Sequence, residues 1–256
     1  MILLGETMND LNGEKTNLDK LEEFFSNNYR DPVYEALEKY PEERSLIVDF
    51  NDLEEFDADL ADYLIERPME VIKISKRAIK KIDPLMKNAD LNVRFENISN
   101  QFSLTDISSR MIGKFVKVRG IVDDVDKVSA RVDTAKFECR GCMRIHEVEQ
   151  DLNAPMKEPA ICSECGCRSF RWLKDESTFE DVQSAVLKEI ILDDSKMSEP
   201  IKLLIYYEGD LIRELKKEDI VDLTGTLKTI KDEKTGYFNF YLHVNHIEFI
   251  YKWGIS

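Results

Sequence analysis

Between residues 16 and 86 the apolar positions recur at helical intervals. Leu18, Leu21, Phe24 and Phe25 share one face of a segment that Thr16 or Asn17 can cap. A second helix is predicted from Asp31-Pro32, because proline at a first helical position gives up only an N–H that has no partner there. The run Ser45-Leu46-Ile47-Val48-Asp49-Phe50 reads as one short strand. Asn51 or Asp52 then opens an acidic helix carrying Phe56, Leu60, Tyr63 and Leu64. Pro68 begins another with Val71, Ile72, Ser75, Ile79, Ile82 and Met86. Such stripes are core faces, and the unit reads as a small helical bundle.

From Leu91 the period switches to alternation. Val93, Phe95 and Ile98 lead in, and strands are predicted over 115–122, 135–139, 201–207, 220–230 and 237–250. Short strands with turn signals between them suggest a small barrel or sandwich, and the OB-fold is the short barrel with long inter-strand loops. Internal repeats, low-complexity tracts and Gly/Ser-rich linkers are absent. The fold class is therefore α+β and multidomain: a helical unit over 1–92, then a barrel over 93–138 and 170–250 that is interrupted by a separate excursion over 139–169.

Composition bounds what this chain can do. At 256 residues, 43% hydrophobic and 34% charged, it can bury two or three compact cores. No stretch approaches the roughly 20 apolar residues of a membrane span, and Met1-Ile-Leu-Leu-Gly-Glu6 meets a charge too early for a secretory signal. The expectation is a cytoplasmic protein with no membrane partner. A net charge of −15 argues against a uniformly polyanion-binding surface. Residues 1–100 hold 23 acidic and 13 basic side chains, and residues 101–256 hold 28 and 23, so any nucleic-acid surface must be a local patch in the second part.

The strongest chemical signal is Cys139-Arg140-Gly141-Cys142, nineteen residues, then Cys162-Ser163-Glu164-Cys165. Two close thiolate pairs at this separation can converge on one tetrahedral ion; zinc is the default and iron the alternative. Four sulfurs leave no open coordination position, so the predicted role is structural. In this register Cys167 is the spare, and His146 is expected on the surface of the excursion.

The second signal is a long hairpin. Val221 to Ile230 alternates, a turn follows over Lys231-Asp232-Glu233-Lys234-Thr235-Gly236, and Tyr237 to Leu242 returns. Lys228, Lys231 and Lys234 are expected to cluster at its tip beside Tyr237 and Phe238, where they can meet a phosphate backbone while a ring stacks on a base. A second basic run, Lys114, Lys117 and Arg119, lies on a predicted strand. No G-x-x-x-x-G-K-[ST] phosphate loop, Gly-x-Ser-x-Gly elbow or His-Glu-x-x-His helix occurs, so no catalytic constellation is present.

Several stretches together resemble the N-terminal region of the minichromosome maintenance (MCM) replicative helicases. They are Ile112 to Val122, the two knuckles, Ser177 to Gln183, Glu208 to Ile212, Val221 to Gly225 and Val244 to Glu248. The resemblance implies a helical subdomain, a zinc subdomain supporting head-to-head contact of two rings, and an OB-fold whose hairpin points into a DNA channel. It implies a hexamer or double hexamer, replication factors as partners, and ATP with Mg2+ in a motor domain absent from this chain. The short tails suggest an archaeal-type member, with 251–256 as the start of a linker toward the motor. The segment Leu187 to Pro200 resembles a loop that relays contact with the motor, although Lys188-Glu189 replaces the usual Gln-Glu. Asp123-Asp124-Val125-Asp126 is acidic where relatives often carry basic residues, leaving Lys127, Arg131 and Arg171 as secondary DNA candidates. The competing reading is a stand-alone single-strand binder resembling replication protein A; a third is a zinc-ribbon scaffold of transcription or translation.

Overall fold

The computed structural model describes residues 15–82, 89–190 and 199–253. Thr16 starts α1 (Asn17–Asn28) with a reciprocal cap: its hydroxyl accepts from the Asp19 N–H at 3.2 Å, and the Asp19 carboxylate accepts from the Thr16 N–H at 3.1 Å. Helix α2 spans Arg30–Glu38, and the expected strand forms as β1 (Ser45–Asp49). The acidic segment is two helices where one was expected. Asp49 caps α3 (Phe50–Phe56), and Asp57, in extended backbone, ends it and caps α4 (Ala58–Glu66) by accepting from the Leu60 N–H at 2.9 Å. Helix α5 runs Pro68–Ile82, with Val71, Ser75, Ala78 and Ile79 on its buried face; Met86 falls outside the described residues.

The expectation that residues 93–98 begin the barrel needs correction. Strand β2 (Asn92–Glu96) pairs in parallel with β1, Ser45 against Asn92 through Asp49 against Glu96. Leu46, Val48, Val93 and Phe95 join Leu21, Phe24, Phe25, Leu53 and Leu64 in one core. The alternation at 93–98 was real, but a strand pattern does not name its partner.

The barrel comprises β4 (Phe115–Val125), β8 (Thr178–Lys188), β9 (Lys202–Glu208), β10 (Ile220–Lys231) and β11 (Phe238–Tyr251), with β3 (Gln101–Phe102) adding to β4. Pairing runs β4–β8–β9–β11–β10 and back to β4, a closed five-stranded circuit in which only β9 and β11 are parallel. That is the OB arrangement. Its core holds Val116, Val118, Leu187, Ile205, Tyr207, Leu223, Leu227 and Leu242. Closure needs Gly120: a Cβ there would stand 2.6 Å from Leu187 Cγ and 2.7 Å from the Lys188 carbonyl oxygen, where β4 crosses to β8.

Between β4 and β8 the chain leaves the barrel along β5 (Ser129–Cys139), turns through β6 (Ile145–Glu149), and returns by β7 (Phe170–Trp172). The arm therefore begins near residue 129, ten residues before the first cysteine. Only the stem of β5, Ser129 to Thr134, pairs with β8.

The helical unit and barrel are joined chiefly across Asn245 and Arg94. Asn245 on β11 accepts from the Phe95 N–H at 2.8 Å and donates to the Val93 carbonyl at 2.9 Å. Arg94, almost fully buried, donates to the Asn245 carbonyl at 2.6 Å, to the Ser45 hydroxyl and to the Asp210 carboxylate, which also accepts from Ser45. The guanidinium beside Asp210 holds its carboxyl below the usual range despite burial. Among the described residues no helix is long and apolar enough to cross a membrane.

Candidate metal centre and hairpin

At the far end of the arm, strands β5 and β6 and the return loop bring four sulfurs together. Cys139 and Cys165 Sγ atoms are 3.5 Å apart, Cys142 and Cys162 3.6 Å, and all four lie within 4.8 Å of one another. Tetrahedral bonds of about 2.3 Å to one ion require sulfur–sulfur edges of about 3.8 Å, so the set needs little adjustment to close on a metal. Each knuckle aims backbone donors at its first sulfur. Although desolvation opposes it, the N–H groups of Cys142 and Gly141 lower the Cys139 thiol to about 6, with Gly141 N 3.4 Å from the sulfur. Backbone donors of Cys165 and Glu164 draw Cys162 down in the same way. Against a donor from Cys167, the sulfurs of Cys142 and Cys139 push Cys165 up to about 12. Four adjacent thiols cannot all ionise alone, and a divalent cation removes that conflict.

The expected spare, Cys167, stays outside the cluster, with its sulfur against the Ser169 backbone. His146 corrects the expectation of a surface residue. Its Nε2 lies 3.3 Å from Cys162 Sγ, and its ring meets Phe170 edge-on at 5.4 Å. The signal was available in the period of β6, whose burial alternates so that His146 and Val148 turn inward.

The arm also braces the hairpin of β10 and β11. Tyr241 is buried against Leu152 and Tyr206, and its hydroxyl donates to the Leu152 carbonyl at 3.3 Å. Below it, Arg131 grips Glu208 with two bonds of 2.6 and 2.8 Å, and His243 Nε2 stands 3.8 Å from the same carboxylate. Burial would raise Glu208, but His243 and Arg131 hold it at about 2.

The lysines do not share one place. In the hairpin register Lys228 opposes Tyr241 and Lys231 opposes Phe238, on opposite faces because the two lysines are three positions apart in a strand. Lys228 is half-buried at the root with Nζ 3.4 Å from His243 Nδ1, and desolvation lowers its pKa. Lys231 and Lys234 remain exposed at the turn. Among the other candidates, Arg119 makes a bidentate pair with Asp222 at 2.6 and 2.8 Å, and Lys117 bridges Asp222 and Glu248. Arg131 belongs to Glu208, and Arg171 reaches Glu138 at 2.9 Å. Lys127 is exposed in the turn between β4 and β5. The acidic run is also partly engaged, since Asp123 takes Lys188 at 3.3 Å and Lys202 at 2.6 Å. Most of the loop resembling a motor relay, residues 191–198, lies outside the described residues.

A helical unit clasped to a closed OB barrel, with a four-cysteine arm after the first barrel strand, defines an OB-fold module of composite type. Two family models match it in succession, the MCM N-terminal domain over residues 15–106 and the MCM OB domain over 103–231. The chain belongs to the MCM family and corresponds to its N-terminal region. The two models overlap over residues 103–106, just after β3. It is 28% identical over 221 residues to the Minichromosome maintenance protein MCM of Saccharolobus solfataricus, covering 80% of this chain and 32% of that protein. It is 27% identical to the DNA replication licensing factor Mcm6 of Drosophila pseudoobscura pseudoobscura, covering 84% and 27%. The chain thus spans about a third or less of these relatives. A crystal structure of the N-terminal domain of an archaeal MCM superposes with a TM-score of 0.77 at 26% identity, covering 91% of this chain and 98% of that one.

Proposed function

We propose that this chain is the DNA-engaging, ring-forming part of an archaeal-type replicative helicase, working in the cytoplasm on chromosomal DNA. The observation that carries the reading is a hairpin whose two strands, twelve and fourteen residues long, run out from a closed OB barrel in a chain of the MCM family. The four cysteines hold one structural zinc ion, which keeps the arm rigid for contact within or between rings. Copies assemble as a hexamer or double hexamer, and replication factors load them. ATP and Mg2+ are used by a motor in the parent protein, and this chain supplies no catalytic residue. Exposed Lys231, Lys234 and Lys127 are the cations available to phosphate, whereas Lys117, Arg119, Arg131, Arg171 and Lys228 first hold the barrel and arm together.

The test combines three measurements on the purified chain. Metal analysis is expected to give one zinc per chain, light scattering an assembly larger than a dimer, and fluorescence anisotropy binding to a dT oligonucleotide that weakens with salt. A strict monomer that ignores oligonucleotides in dilute buffer refutes the proposal. The competing single-strand binder predicts tight binding by a monomer.

A further inference from the structure

The four sulfurs of the arm do not share one environment. Cys142 and Cys165 are exposed, so water can solvate their sulfurs, whereas Cys139 and Cys162 are buried. Four thiolates around one dication leave negative charge uncompensated, and a buried sulfur must find its donors in the protein. Backbone serves Cys139, through the Gly141 N–H at 3.4 Å. Cys162 has a side chain as well, with His146 Nε2 standing 3.3 Å from its sulfur. Among the described residues no other side-chain nitrogen or oxygen lies within hydrogen-bond distance of the four sulfurs.

Strand pairing sets the place of this imidazole. His146 lies opposite Phe137 in the β5–β6 register and on the inward face of β6, and Phe170 of β7 meets its ring edge-on, with the planes at 89°. Phe170 in turn pairs with Cys139, so the ring is held between the strand that carries the first ligand and the strand that returns from the last. An apolar residue would fill the same space against Phe170, yet a ring nitrogen is aimed at a buried sulfur. A metal-bound thiolate only accepts, and a bare nitrogen lone pair facing it would be repelled. The close approach therefore requires the proton on Nε2.

We propose that His146 donates its Nε2–H to the Cys162 sulfur and thereby slows the loss of the metal from the arm. The bond spreads the negative charge of the loaded cluster at the sulfur that water does not reach, and so favours that cluster over the emptied one. His146 is then a positioning residue outside the four ligands. The inference rests on the metal site of the proposed function and names a side chain that governs how firmly that site holds its ion.

The experiment follows transfer of zinc from the whole chain to an excess of a chromophoric chelator, beside the visible spectrum of the cobalt-substituted chain and nitrogen NMR of the labelled imidazole. His146→Leu removes the donor and keeps an apolar contact with Phe170, and His146→Gln offers an amide N–H at similar reach. The leucine variant is expected to bind metal at the stoichiometry of the unaltered chain but to release it about tenfold faster or more, the usual scale for losing an outer partner of a metal ligand, while the glutamine variant stays within about threefold. The ligand-field bands of cobalt keep their four-sulfur pattern in the leucine variant, its thiolate-to-cobalt charge-transfer band moves to lower energy, and NMR places the proton of the unaltered chain on Nε2. Release from the leucine variant at the unaltered rate overturns the inference alone. So does a glutamine variant as fast as leucine, a proton on Nδ1, or ligand-field bands that change with leucine, which would make His146 a ligand. If the leucine variant does not fold, the imidazole spectrum of the unaltered chain decides. If the unaltered chain holds no metal, the metal reading fails and the inference with it.

Discussion

Two structures leave the same barrel, the cysteine arm and the hairpin, and they are organised by opposite means. The arm has little apolar core of its own: Met143, Ile145, Met156 and Ile161 are exposed, and its end is gathered by four sulfurs. The hairpin is continuous with the barrel core, and its order comes from ladder pairing and alternation. A point ligand can organise a segment that cannot bury itself, whereas a ribbon inherits its order from the sheet it extends.

The largest test separates the two by removing the zinc ion proposed for the four sulfurs. Cys139→Ser, or strong chelation, is expected to abolish stoichiometric zinc and collapse the arm, since metal binding supplies on the order of 10 kcal/mol in small zinc peptides. Hydrogen exchange should show β6 and β7 losing protection while β4, β10 and β11 keep theirs. Equal loss in the barrel would erase the distinction. The converse test strikes the ribbon. A Cβ on Gly225 would sit 2.3 Å from the His243 carbonyl oxygen, so Gly225→Ala should cost about 3 kcal/mol or more in denaturant unfolding and leave zinc content intact.

A third test addresses the ionic cluster that arm and hairpin share. Glu208 is held at about 2, below its ordinary 4.5, so its contribution is complete above pH 4.5 and disappears as the pH falls toward 2. Burial, with Arg94 nearby, lowers His246 to about 4, so the folded state also loses stability as the pH falls from 6.5 toward 4. Both signs agree, and thermal unfolding at a series of pH values should show a midpoint falling steadily below pH 6.5. A flat profile would mean that neither the Glu208 cluster nor the burial of His246 persists in solution. The smallest effect is expected for Tyr241→Phe, which deletes the bond to Leu152 and should cost about 1 kcal/mol by denaturant unfolding. A cost near zero would show that the arm does not brace the hairpin.

The same contrast governs what could be read without coordinates. The convergence of the four cysteines was legible because paired cysteines at short spacing carry their chemistry in the residue type. The hairpin is legible as a ribbon, but proximity in sequence does not put Lys228 on the face of Lys231. A period of two puts it on the other face of the ribbon from Lys231. The cap at Thr16 needs only local rules, and so does the break at Asp57, although the apolar spacing alone runs straight through it. The pairing of β2 with β1, the Asn245 clasp and the carboxylates that take up Lys117, Arg119, Arg131 and Arg171 join residues far apart in the chain. No local pattern encodes such partners.

The rooting of the ribbon has a mechanical consequence. Strand β10 is bonded along its inner half to β4, and β11 is bonded in parallel to β9, so the two legs are clamped on their outer sides by different neighbours. Tension applied at Tyr237 along the strand axis would load those ladders in shear, many bonds at once, instead of unzipping them singly. The hairpin is therefore anchored like a tent pole in a socket, stiff against a pull along its length and yielding first at its free end.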